Sequence, residues 1–233
     1  MPTLRMLMTA VALTAAAMTT MTAVAPTSAS TATKAGARAK AKAQAACRRA
    51  KSRTVAANGL VRVFTRPGDD GYNEGTDLLA CWRKTGRARS LFFAYSDDYV
   101  TSESFELVRL RGRFVAFYSE SFDIGCKADC PPGYEATHRS VNVLDARFGT
   151  GWRTRLAERP AGNRLLLDAR GAIAWPQWLP GNQIEVRVRD GGGQRVVDSG
   201  AIHPESLALT PGGRLTWVND ATGHSMQLAR AKP

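Results

Sequence analysis

Residues 164–200 read RLLLDARGAIAWPQWLPGNQIEVRVRDGGGQRVVDSG. Leu165 to Leu167 form an apolar run, Asp168-Ala169-Arg170-Gly171 is turn chemistry, and Ala172 to Trp175 form a second apolar run. After a loop around Gly181-Asn182, Ile184, Val186 and Val188 alternate with polar residues, and Gly191 to Gly193 turn the chain into a closing strand through Val196 and Val197. The period of two and the turn spacing predict one four-stranded antiparallel sheet.

Weaker copies of the pattern lie on both sides. TVAANGLVRVFT, residues 54–65, turns at Asn58-Gly59, and DLLACWRKTGRARSLFFAY turns at Lys84-Thr85-Gly86, which makes a first sheet. SDDYVTSES, residues 96–104, reads as a connector between sheets. FELVRLRGRFVAFYS turns at Arg111-Gly112, and RSVNVLDARFGTGWRTRLA turns between Gly149 and Gly151, which makes a second. SLALTPGGRLTWVNDATGHSMQLA, residues 206–229, supplies only three strands of a fourth. The chain is therefore expected to be all-β, with about four propeller-like four-stranded antiparallel sheets and ring closure left open.

The inner hairpins FELVRLRGRFVAF, RLLLDARGAIAW and SLALTPGGRLTW repeat a Leu-rich strand, a Gly-containing turn and a strand ending in Phe or Trp. Phe117, Trp175 and Trp217 recur 58 and 42 residues apart, within the range of four-stranded blades that carry insertions. A single such sheet leaves apolar faces uncovered, so these aromatics are expected between sheets. The repeats resemble those of the TolB and WD40-like β-propeller group over Thr54 to Ala229. That resemblance implies a propeller used for binding and carries over no catalytic residue. The chain holds fewer blades than familiar members, and the segment near Thr54 would supply a closing strand.

Met1 to Ala25 places one base, Arg5, before an apolar and Thr-containing run, the layout of a secretory signal peptide. Pro26 disfavours cleavage after Ala25, so residues 1–29 are expected as the leader, residues 30–46 as an Ala/Lys-rich basic linker, and residues 47–233 as a single β-propeller-like domain. No later segment is apolar enough to span a membrane. The formal charge of +12 is concentrated early: residues 1–66 hold eleven Lys or Arg and no acid, so the other 21 bases face all 20 acids and that part carries +1. This excludes a basic nucleic-acid-binding fold and leaves weak contact of the arm with anionic envelope polymers.

In an oxidising compartment Cys47, Cys81, Cys126 and Cys130 are an even set with three pairings open to it. The simplest staples Cys126 to Cys130 across three residues and joins Cys47 to Cys81. Neither Cys47 nor Cys81 has a neighbouring Cys or His, so zinc is not expected. His138, His203 and His224 stand in separate polar loops, and no metalloprotease, nucleophile-elbow or phosphate-cradling motif occurs.

Asp69, Asp70, Asn73, Glu74 and Asp77 crowd one loop, the oxygen chemistry that calcium takes, without EF-hand spacing. Asp97, Asp98, Glu103 and Glu106 form a second acidic group, where paired carboxylates would serve a hydrolase or lyase acting on carbohydrate. Among loop aromatics, Trp178, Tyr72 and Trp152 are the candidate ligand contacts. The function expected is a secreted binding or interaction module for an extracellular protein or glycan, not an enzyme, with no cofactor or metal. A carbohydrate-active enzyme and an envelope-associated structural protein are the alternatives.

Overall fold

The computed structural model describes residues 29–97, 101–123 and 137–230. The expected leader up to residue 28, the Cys126–Cys130 staple and Asp98 lie outside these. The chain runs α1 (Ala29–Ala46), β1 (Arg53–Ala57), β2 (Val61–Asp69), β3 (Glu74–Trp82), β4 (Arg87–Ser96), β5 (Thr101–Arg111), β6 (Phe114–Asp123), β7 (Thr137–Asp145) and β8 (Gly151–Leu156). It continues as β9 (Leu166–Leu167), β10 (Ile173–Trp178), β11 (Ile184–Asp190), β12 (Gly193–Gly200), β13 (Ala208–Leu209), β14 (Arg214–Asn219) and β15 (Thr222–Gln227). Every strand pairs antiparallel with its sequence neighbour inside its own sheet, as short turns between alternating strands require.

The sheets have eight, four and three strands, and none is closed. This corrects the expected four sheets of four. Of the expected connector over residues 96–104, the described ends belong to strands: β4 closes at Ser96, β5 opens at Thr101, and Tyr95 and Ser96 pair with Glu103 and Ser102. The first two sheets are thereby fused. The fusion is confined to those two residue pairs, although β4 and β5 have 10 and 11 residues, so the two four-stranded halves part beyond it and fold face to face.

Burial follows the repeat. Val61, Val63, Leu78 and Ala80 of the first half pack on Val115 and Phe117 of the second. Tyr118, Val141 and Val143 of the second half pack on Leu165, Ile173 and Trp175 of the four-stranded sheet. That sheet's Ala174, Val186 and Val188 pack on Leu215 and Trp217 of the last. Phe117, Trp175 and Trp217 each occupy a different inter-sheet core, as expected from their recurrence.

Side chains from one sheet also reach the backbone of the next. Asn58 donates to the Gly112 carbonyl at 2.8 Å, Arg109 to Leu165 at 3.0 Å, Arg164 to Leu207 at 2.9 Å and Arg170 to Gly212 at 2.9 Å. Each joins consecutive units of the stack, and the Asn58–Gly112 and Arg170–Gly212 bonds bring turns side by side at one end.

The outer face of the first sheet is covered differently. Phe64, Leu79 and Cys81 form a small core with Cys47, which follows α1 and is bonded to Cys81 with Cα atoms 5.6 Å apart. Residues 30–46, expected as an Ala/Lys-rich basic linker, are helical, in keeping with the high helix propensity of Ala and Lys. The last turn docks where Gly86, at φ +71°, brings the β3–β4 turn against it; a Cβ there would lie 2.7 Å from the Ala46 Cβ. Among the described residues no helix is long and apolar enough to cross a membrane.

Two stability measurements check this architecture. The Cys47–Cys81 bond spans a sequence separation of 34, so reduction or Cys47→Ser should cost about 3–4 kcal/mol in urea unfolding. Trp175→Ala, which empties the core between the second and third units, should cost about 3–5 kcal/mol.

Candidate functional site

Antiparallel meanders alternate their turns between two ends, and the inter-sheet bonds above align the units, so the loops form two opposite faces. At one end the turns start with a repeated device. The Asn58 side-chain oxygen accepts from the Leu60 and Val61 amides, that of Asp168 from the Arg170 and Ala172 amides, and that of Asp190 from the Gly192 amide, all at 2.8–2.9 Å. Asp145 accepts from the Arg147 amide at 2.9 Å in the same manner. These Asx turns arise because a short polar side chain can replace a backbone acceptor where the ladder ends.

The aspartates also hold arginines. Asp145 lies 2.6 Å from Arg113 Nε, Asp168 is 2.9 Å from Arg170 Nε, and Asp190 receives both terminal nitrogens of Arg195 at 2.7 and 3.0 Å. Burial alone would push Asp190 up. The Arg195 guanidinium and the Gly192 and Ala229 amides outweigh burial, so its carboxyl is held below the ordinary carboxylate range.

At this end lies a cleft of about 960 Å³, lined by residues of the first three units and by Arg230 after the last strand. Its aromatic lining is Phe114, Phe148 and Trp152; its basic lining is Arg113, Arg170 and Arg230. Gly171, at φ +86°, lets the β9–β10 turn approach Phe114, since a Cβ there would sit 2.9 Å from the ring. Guanidiniums cover several rings: Arg189 lies 4.2 Å from the Trp152 ring centre, and Arg147 lies 4.8 Å from that of Phe148. Phe148 is 51% exposed in spite of this. The lining holds three arginines against one carboxylate, Asp145, a formal charge of +2; Arg113 and Arg170 are paired with Asp145 and Asp168.

The structure divides the expected contact residues. Trp152 lines this cleft. Tyr72, 95% exposed at the tip of the β2–β3 hairpin, and Trp178, 45% exposed at the end of β10, stand at the opposite end. Phe148, Phe114 and Arg113 were not among the sequence candidates. Phe148 carries a signal, an aromatic inside the polar turn DARFGTG, whereas Phe114 and Arg113 read as ordinary strand and turn residues.

The acidic loops are largely occupied. Asp69 accepts from the Gly71 amide and Asp70 from the Tyr72 and Asn73 amides, so this loop is a self-capped hairpin tip; Asp77 pairs with Arg66 at 3.0 Å. The Asn73 and Tyr72 amides hold Asp70 below the ordinary carboxylate range. Glu106 pairs with Arg159. Among the described residues no group of three or more His, Cys, Asp or Glu could hold a metal ion. The histidines stay apart: His138 contacts Arg155 at 3.0 Å, His224 stacks on Trp217 at 5.6 Å, and the His203 carbonyl accepts from Ser206.

No protein-family model matches the chain. No curated protein matches it. Among solved structures, a chain from a structural and mechanistic study of two prolyl endopeptidases is similar, at 14% identity and a TM-score of 0.42, over 84% of this chain and 34% of that one. The chain spans about a third of that neighbour's length, and a likeness at this level assigns neither fold nor activity.

Asp190 supplies a pH test. Because its folded pKa is depressed, its stabilising contribution is full above the unfolded carboxylate value of about 4 and is lost as pH falls through the folded value. Asp190→Asn should cost about 1–3 kcal/mol at pH 7, and the gap between wild type and variant in urea midpoint should narrow below about pH 4.

Proposed function

We propose that the chain is an exported interaction module that grips an acidic segment of a partner protein in the Trp152 cleft. The observation that carries this reading is the composition of the cleft, in which Trp152, Phe148 and Phe114 stand together with Arg113, Arg170 and Arg230. Trp and Arg are among the residue types that carry most interface energy, and a pocket combining them fits a peptide with an apolar anchor flanked by carboxylates.

Export is supported by the leader-like first 25 residues and by the Cys47–Cys81 disulfide, a bond kept in oxidising compartments. The resemblance of the repeats to TolB and WD40-like propellers supports a binding role, with turns and loops as the contact surface. The expected weak contact of the basic arm with envelope polymers remains part of this reading, as an unspecific attraction separate from the cleft.

Peptide and glycan arrays probed with the full chain test it. Acidic peptides carrying an aromatic or aliphatic anchor should bind, more weakly as salt rises. Phe148→Ser and Arg230→Glu, both exposed, should each weaken binding tenfold or more, about 1.4 kcal/mol. Binding to glycans alone, or peptide binding indifferent to both substitutions, would overturn the reading.

A further inference from the structure

At the opposite end of the stack, where the two halves of the eight-stranded sheet part, lies a second cleft of about 600 Å³. On the face of β6 turned toward the first half, Val115 and Phe117 belong to the core, and the next two positions on that face are Ser119 and Ser121. The neighbouring strands make the same change. His138, Ser140 and Asn142 on β7 and Arg153 and Arg155 on β8 share the face, paired as Ser121 with His138, Ser119 with Ser140, Ser140 with Arg155 and Asn142 with Arg153. An interior that packs apolar side chains at one end thus becomes a polar lining at the other.

The lining is organised around buried groups. Ser119 and Ser140 are 1% and 2% exposed, and their hydroxyls lie 3.3 Å apart. Asn142 donates to the Ser119 hydroxyl at 2.9 Å, and Arg153 Nε donates to the Ser140 hydroxyl at 2.7 Å. Arg153 is therefore held by one nitrogen, and among the described residues its terminal nitrogens form no ion pair. Glu103 on β5 and Phe92 on β4 also line the cleft. Glu103 feels the charge of Arg153 without closing a salt bridge to it, and burial raises its carboxyl above the ordinary range.

A cleft holding a fixed guanidinium with Arg139 and Arg155 beside it, a carboxylate that forms no salt bridge to Arg153, the Ser121 hydroxyl and an aromatic ring matches a ligand that has an anion, several hydroxyl donors and a carbon-rich ring. We propose that this cleft binds a uronic-acid residue of an acidic polysaccharide, with its carboxylate on Arg153, its hydroxyls on Glu103 and Ser121, and its ring against Phe92. The planar guanidinium suits a carboxylate better than a point charge would. The site is separate from the Trp152 cleft and does not depend on the peptide reading.

Titration calorimetry on the full chain with trigalacturonate, neutral galactotriose and inorganic sulfate tests the proposal. The acidic trisaccharide should bind saturably and at least tenfold tighter than either of the others. Arg153→Gln should weaken it at least tenfold, whereas Arg214→Gln, on the exposed far face of the last sheet, should not change it. Glu103→Gln keeps the hydroxyl acceptor and removes a repelling charge, so it should tighten binding severalfold. Hydrogen exchange on the unmodified protein supplies a readout independent of variant folding: the acidic trisaccharide should protect β6 to β8 around Ser121, Ser140 and Arg153, and leave the Asp145–Trp152 turn unchanged. Equal affinity for galactotriose or sulfate, no binding of trigalacturonate, indifference to Arg153→Gln in a folded variant, or protection confined to the Asp145–Trp152 turn would each overturn it.

Discussion

A sheet in the middle of a stack has two apolar faces to cover, and its neighbours cover both; the first and last sheets each have one face with no neighbour. The structure depends on how those two faces are handled. At the start, Phe64 and Leu79 are closed over by the end of α1, held by the Cys47–Cys81 bond. At the finish, the outward positions of β14 and β15 carry Arg214, Thr216, Ser225 and Gln227, which water can solvate. With both faces provided for, an open row of sheets needs no ring.

Between those ends the architecture repeats by nearest neighbours. Each unit supplies an aromatic to one shared core, and the bonds Asn58–Gly112, Arg109–Leu165, Arg164–Leu207 and Arg170–Gly212 step from one unit to the next. Stability of this kind is close to a sum of unit and interface contributions. The same stacking gathers the turns into two faces with different chemistry, one aromatic and arginine-rich, the other serine-rich with Arg153 and Glu103 facing each other without a salt bridge.

Much of this was legible in the residues. Asn58-Gly59, Arg111-Gly112, DARG and TPGG are local turn signals, and the recurrence of Phe117, Trp175 and Trp217 marks the inter-sheet cores because burial imposes the same demand on each copy. The fusion of the first two sheets was hidden because Tyr95, Ser96, Ser102 and Glu103 pair through backbone groups that polar side chains do not advertise. Docking of α1 was hidden because alanine gives no amphipathic stripe, and the contact depends on a covalent bond and on Gly86. Trp152 was found from its loop position. Its companions Phe114 and Arg113 come together with it only through turns that are distant in sequence.

The C-terminal segment after β15 is held by the buried Leu228 side chain, by the Leu228 amide donating to the Gly213 carbonyl and by the Ala229 amide donating to Asp190, both at 2.9 Å. The N-terminal segment is held by a disulfide. In mechanical terms the described chain has a non-covalent fastener at one end and a covalent anchor at the other. Tension applied along the chain would release the tail first and then strip the sheets from last to first, and the unit sealed by Cys47 and Cys81 would be the last to yield.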